Sequence, residues 1–150
     1  MSSRSKSQIP IVDIFAGPGG LGEGFSAYTD DHGQRPFKIA ISVECDEFAH
    51  RTLTLRSFLR QFPPDNVPQE YYLHLQGKLS FDALFEQMKS TPAGSRAIAE
   101  ACKHKLGEST DQDERLARNV ADQLRGDDCI LIGGPPCQAY SLVGRSRNKG

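Results

Sequence analysis

A chain of 150 residues, 37% hydrophobic and 25% charged with a net charge of −1, can build one domain core and carries no global basic field that would announce nucleic acid. It has no apolar run long enough to cross a bilayer, and residues 1–8 are Ser-rich and basic without the apolar stretch of a signal peptide, so they read as a disordered lead-in. The four cysteines, at 45, 102, 129 and 137, lack C-x-x-C spacing, which argues against zinc and against a disulfide framework. A reducing, cytoplasmic setting without a bound metal is expected, and Cys45, Cys102 and Cys129 read as core or near-core residues.

The first predicted element is an apolar strand over 9–15, which runs into the turn Phe15-Ala16-Gly17-Pro18-Gly19-Gly20 and a helix over 19–28. Glycines let a backbone approach a ligand closely, and a helix N-terminus offers unpaired N–H groups. The turn is neither G-x-G-x-x-G nor a P-loop, so neither a dinucleotide nor a nucleoside triphosphate is favoured. A second strand over 37–43 ends at Glu44, where a carboxylate can accept both hydroxyls of a ribose. The following helix, 46–62, carries Phe48, Leu55, Leu59 and Phe62 at helical spacing as its expected core stripe, and Pro63-Pro64 ends it.

The stretch 63–126 reads as a helical insertion. Ser80 caps a helix with the stripe Phe81, Leu84, Phe85 and Met88, and Ser95 caps another carrying Ile98, Ala101 and Cys102. A third helix starts near Thr110-Asp111, buries Leu116, Val120 and Leu124, and stops at Gly126. A last strand over 129–133 delivers Cys137 to the Pro-stiffened turn Gly133-Gly134-Pro135-Pro136-Cys137-Gln138, a position suited to a nucleophile. Beyond it, Arg145, Arg147 and Lys149 with no acid among residues 138–150 suit the start of a loop that closes on phosphates. The alternation of strands and helices predicts an α/β domain, a parallel sheet with helices on both faces.

Taken together, Phe15-Ala16-Gly17-Pro18-Gly19-Gly20, Glu44 and Pro135-Pro136-Cys137-Gln138-Ala139-Tyr140-Ser141 resemble the DNA (cytosine-5) methyltransferases, whose cofactor turn is F-x-G-x-G-G and whose nucleophile sits in a P-C-Q turn. The likeness covers residues 9–28, 37–62 and 128–150. It implies a Rossmann-like sheet dependent on S-adenosyl-L-methionine, with Phe15, Gly17, Pro18 and Gly20 lining the cofactor site, Glu44 on its ribose and Cys137 as catalytic nucleophile. A thiolate adds to carbon 6 of a flipped-out cytosine, carbon 5 takes the methyl group, and elimination restores the ring.

The same likeness implies that residues 9–150 form the N-terminal, truncated part of a catalytic domain, without a target-recognition region and inactive alone. A complementary C-terminal chain, double-stranded DNA and a bacterial restriction–modification setting are its expected partners and context. Relatives place an Asp against the adenine in a turn after the third strand; the nearest counterpart here is Gly77-Lys78-Leu79, with Asp82 as a substitute. A tRNA cytosine-5 methyltransferase and a non-catalytic fragment that binds cofactor or partner are the alternatives.

Overall fold

The computed structural model describes residues 8–136. Its elements run β1 (Ile9–Ile14), α1 (Gly20–Ala27), β2 (Phe37–Glu44), α2 (Glu47–Leu59), a 3-10 turn (Pro64–Asn66), α3 (Gln69–Leu75), α4 (Phe81–Lys89), α5 (Pro92–Glu100), β3 (Ala101–Lys103), α6 (Thr110–Leu124) and β4 (Ile130–Gly133). The strands form one sheet in the order β3-β2-β1-β4, and every neighbouring pair is parallel. The chain steps from β1 to β2 to β3 in one direction and then returns past both to β4. Right-handed crossovers therefore put α1 and α2 on one face and α6 on the other, the layout of a Rossmann-like methyltransferase sheet.

The central strands are apolar because both faces are covered: Ile11, Val12, Ile39, Ile41 and Val43 are buried. Residue pairing shifts between Ile11 and Val12, where Ala40 is the additional residue of β2. A second apolar cluster lies on the outer side of α2, where Phe58 packs with Leu84 and Met88 of α4 and with Ala93 and Ala97 of α5. Gly94 permits this approach, because a Cβ there would stand 1.9 Å from the Met88 carbonyl oxygen.

Several expectations need correction. The stretch 63–126 is not helical throughout: Ala101 and Cys102 belong to β3, in register with Ser42 and Val43. The helix before β3 is capped by Thr91, whose hydroxyl accepts from the Gly94 N–H at 3.0 Å, with Pro92 at its first position. Ser95 lies inside that helix. Ser80 does cap α4, accepting from the Ala83 N–H.

In α2 the buried face is Leu53, Thr54, Ser57 and Phe58, whereas Phe48 is 77% exposed and Leu55, Leu59 and Phe62 are half-buried. The hydroxyls make this burial tolerable, since Thr54 donates to the His50 carbonyl and Ser57 to the Ala97 carbonyl. No residue of α6 is fully buried; Leu116, Val120 and Leu124 are half-buried. Cys45 and Cys129 are exposed rather than core, and Cys102 is half-buried, its thiol pushed up by burial.

Candidate functional site

The chain leaves β1 through Phe15, whose φ of 56° is left-handed, and continues through Gly17 at 57° and Gly19 at 90°. A left-handed bulky residue is disfavoured, and such strain collects at ligand-holding turns. The turn is pinned to β2 by the Ala16 N–H, which donates to the Val43 carbonyl at 3.0 Å, and closed on itself by the Gly19 N–H, which donates to the Ala16 carbonyl at 3.0 Å. Its glycines differ in purpose. A Cβ on Gly19 would meet Leu53 of α2 at 2.8 Å, so Gly19 serves packing, while Gly17 and Gly20 have nothing within 4 Å and leave their backbone open to a ligand.

Glu44 stands directly beside this turn. Its Oε2 accepts from the Gly17 N–H at 2.7 Å, and its Oε1 accepts from the Cys45 and Asp46 N–H groups, each at 2.7 Å. The residue is 9% exposed, so backbone donors balance its buried charge. A carboxylate has about four acceptor positions, which leaves about one open. A ribose diol would need two, so holding one would require a backbone bond to be shared or yielded.

Phe15, Gly17, Pro18, Gly20 and Glu44 are thus brought to one edge of the sheet, beyond the carboxyl ends of β1 and β2. β4 ends at the same edge, with Gly133 paired to Ile14. A Cβ on Gly133 would lie 2.3 Å from the Ile14 carbonyl oxygen, and one on Gly134 3.8 Å from that of Phe15. Close backbone packing therefore joins the two turns. Cys137 lies outside the described residues, one position past Pro136.

The third strand relocates the expected adenine side. β3 ends at Lys103, and the His104 N–H donates to the Glu44 carbonyl at 3.1 Å. Residues 77–79 lie between α3 and α4, outside the sheet, so Gly77-Lys78-Leu79 is not the turn that follows the third strand. Asp82 sits in the first turn of α4, 3.9 Å from Arg51. After β3, the His104 ring meets the Asp113 carboxylate at 2.6 Å, and the Gly107 N–H donates to the same carboxylate at 3.0 Å. The hydrogen bond from His104 holds the Asp113 carboxyl below its ordinary range.

Charges of both signs stand near the turn. Asp13 and Glu44 flank it, Arg56 packs beside Gly19, and Arg60, held by Glu23 and Glu100, acts on Asp13. A cavity of about 650 Å³ lies elsewhere, at the opening end of β2 beside Arg35, Phe37, Lys38 and Arg96. The C-terminal parts of α1, α2, α5 and α6 reach it through Ser26, Arg60, Glu100 and Gln123, so its basic residues complement helix carbonyl ends.

Among the described residues no cluster of three or more His, Cys, Asp or Glu side chains could hold a metal ion, and no helix is long and apolar enough to cross a membrane.

Comparison with known proteins places this geometry in context. The chain is similar to type II methyltransferases. It is 31% identical to type II methyltransferase M.Bpa9945I of Bacillus paralicheniformis over 153 aligned positions, covering 93% of this chain and 33% of that protein. It is 26% identical over 148 positions to M.OihORF3336P of Oceanobacillus iheyensis, provisionally named a type II methyltransferase, covering 99% of this chain and 22% of the relative. The chain thus spans a third or less of the length of the curated relatives it matches. No protein-family model matches it, and no solved structure does.

Proposed function

We propose that the protein is a DNA (cytosine-5) methyltransferase in which this chain holds S-adenosyl-L-methionine and presents the nucleophile Cys137. The observation that carries the reading is the meeting of the Gly17 N–H and the Glu44 carboxylate at 2.7 Å, beside the end of the strand that leads to Pro135-Pro136-Cys137-Gln138. An open glycine backbone and an acceptor for ribose hydroxyls fit a sulfonium-bearing nucleoside, which supplies the methyl group. Phe15, Gly17, Pro18 and Gly20 would line it, and Glu44 would hold its ribose.

The chain's own chemistry rests on Cys137. Its thiolate adds to carbon 6 of cytosine, which places electron density on carbon 5; after methylation, loss of the carbon 5 proton expels the thiolate and restores the ring. The base must leave the duplex to reach the thiol. The type II designation of both relatives favours duplex DNA over tRNA as substrate and a bacterial restriction–modification role in the cytoplasm. Methyl transfer is proposed for the whole protein, and residues 1–150 alone are expected to be inactive without a complementary portion that steadies the flipped base.

Duplex DNA with 5-fluorocytosine at the target tests this reading. The full-length protein should form a covalent adduct that maps to Cys137, because the fluorine cannot leave as a proton does. Cys137→Ser should abolish the adduct and keep cofactor binding. An adduct at exposed Cys45 or Cys129 would overturn the assignment.

A further inference from the structure

Asp13 is an acid in the middle of an apolar strand and is 0% exposed. It shares a face of β1 with Ile11 and points toward α1, where its Oδ2 lies 3.3 Å from the position a Cβ on Gly22 would take. Both carboxylate oxygens are buried and lack a hydrogen bond of standard geometry among the described residues. A buried carboxylate in that state is costly unless something nearby answers it.

What lies opposite is the start of α1. Gly19 is its N-cap and has no side chain with which to cap it; the N–H groups of Gly20, Leu21 and Gly22 have no intrahelical acceptor. The first intrahelical bond runs from the Glu23 N–H to the Gly19 carbonyl. The orphan donor of Gly22 and the orphan acceptor of Asp13 face each other. We propose that Asp13 is the positioning residue of the cofactor turn: its carboxyl, supplied from β1, replaces the cap that Gly19 cannot provide and fixes where α1 begins.

The other groups around it agree. Burial raises the carboxyl's pKa, while the Gly22 N–H and the Arg60 guanidinium hold it down. Arg60 in turn ion-pairs with Glu23 of α1 and Glu100 of α5, so α1 is tied from below by Asp13 and from the side by Arg60. The turn from Phe15 to Gly19 is suspended between Asp13 and α1. A shift of α1 would move Gly17 relative to Glu44. That consequence rests on the cofactor reading above, whereas the capping itself does not.

A double-mutant cycle on the full-length protein separates the two. Gly22→Ala inserts a methyl group between α1 and Asp13 without altering the carboxyl, and Asp13→Asn keeps the size and one acceptor oxygen if Asp13→Ala does not fold. Amide hydrogen exchange at Gly20–Gly22 should speed up roughly fivefold in Asp13→Ala, the size of a lost helix cap, and less in Asp13→Asn. Gly22→Ala should have a similar effect, and the double variant should show no further loss. S-adenosylhomocysteine, as the binding probe, should lose affinity in the same order. Strictly additive effects, or unchanged exchange at Gly20–Gly22 in a folded Asp13→Ala protein, would overturn the proposal. Changed exchange in a protein whose wild type binds no S-adenosylhomocysteine would sustain the capping and remove the cofactor reading.

Discussion

The Glu44 carboxylate accepts the Gly17 N–H at 2.7 Å, so one side chain both closes the end of β2 and fixes the glycine turn of β1. Glu44→Gln replaces an acceptor with an amide group that cannot serve both Gly17 and the Cys45 and Asp46 N–H groups. Loss of charge-assisted bonds should cost about 1.5–3 kcal/mol, hence roughly ten- to a hundredfold in S-adenosylhomocysteine affinity. Stability to urea should fall as well, because the bonds exist without ligand. Calorimetry showing unchanged affinity in a folded variant would end the ribose assignment.

Phe15 bears on both stability and binding. Phe15→Gly should relieve about 1–2 kcal/mol of left-handed strain, against roughly 0.5–1 kcal/mol of additional unfolded-state entropy. Because the side chain is only 37% exposed, truncation also gives up apolar burial, so unfolding free energy should fall on balance by about 1–2 kcal/mol. S-adenosylhomocysteine affinity should drop as well, because the ring lines the proposed site. Equal affinity in a folded variant would mean that the strain serves only the chain's path.

Gly133→Ala tests the junction between the two turns. Its Cβ would stand 2.3 Å from the Ile14 carbonyl oxygen, a backbone atom that cannot step aside. Overpacking of this kind costs about 1–3 kcal/mol and should loosen β4 from β1. Because β4 leads to Cys137 while Glu44 and Gly17 lie on the other side of β1, turnover should fall further than cofactor affinity. A kcat loss no greater than the affinity loss would show that β4 does not position the nucleophile.

Strand ends are legible in the amino-acid sequence where an apolar run meets glycine, as in β1 and β4, or a charged residue, as in β2 at Glu44; all three strands lie within a residue of expectation. β3 was hidden because three residues, Ala101-Cys102-Lys103, carry no periodicity and continue directly from α5. Hiding the third strand also misplaced the turn beyond it. Phe48 falls off the buried face because α2 buries Thr54 and Ser57 through hydroxyl bonds, a device that an apolar stripe does not reveal. Asp13 is not legible in the sequence because an acid inside a strand gains meaning only from the Gly22 amide and Arg60, which the fold brings to it.

The two shifted carboxyls should leave opposite marks on stability against pH. Asp113 is held below its ordinary value of 3.8, first by the His104 hydrogen bond, so its contribution is present above that value and is lost as pH falls through the lower folded value. Asp13 is raised above 3.8 by burial, so the folded state holds its proton more tightly and stability declines as pH rises from 3.8 through the higher folded value. Urea unfolding across an acidic pH series resolves them: Asp113→Asn should flatten the loss below pH 3.8, and Asp13→Asn should flatten the decline above it. His104→Gln tests the first cause directly, since without the imidazole the acid-side loss should shrink as it does in Asp113→Asn. An unaltered acid limb in His104→Gln would assign the Asp113 shift to the Gly107 N–H instead.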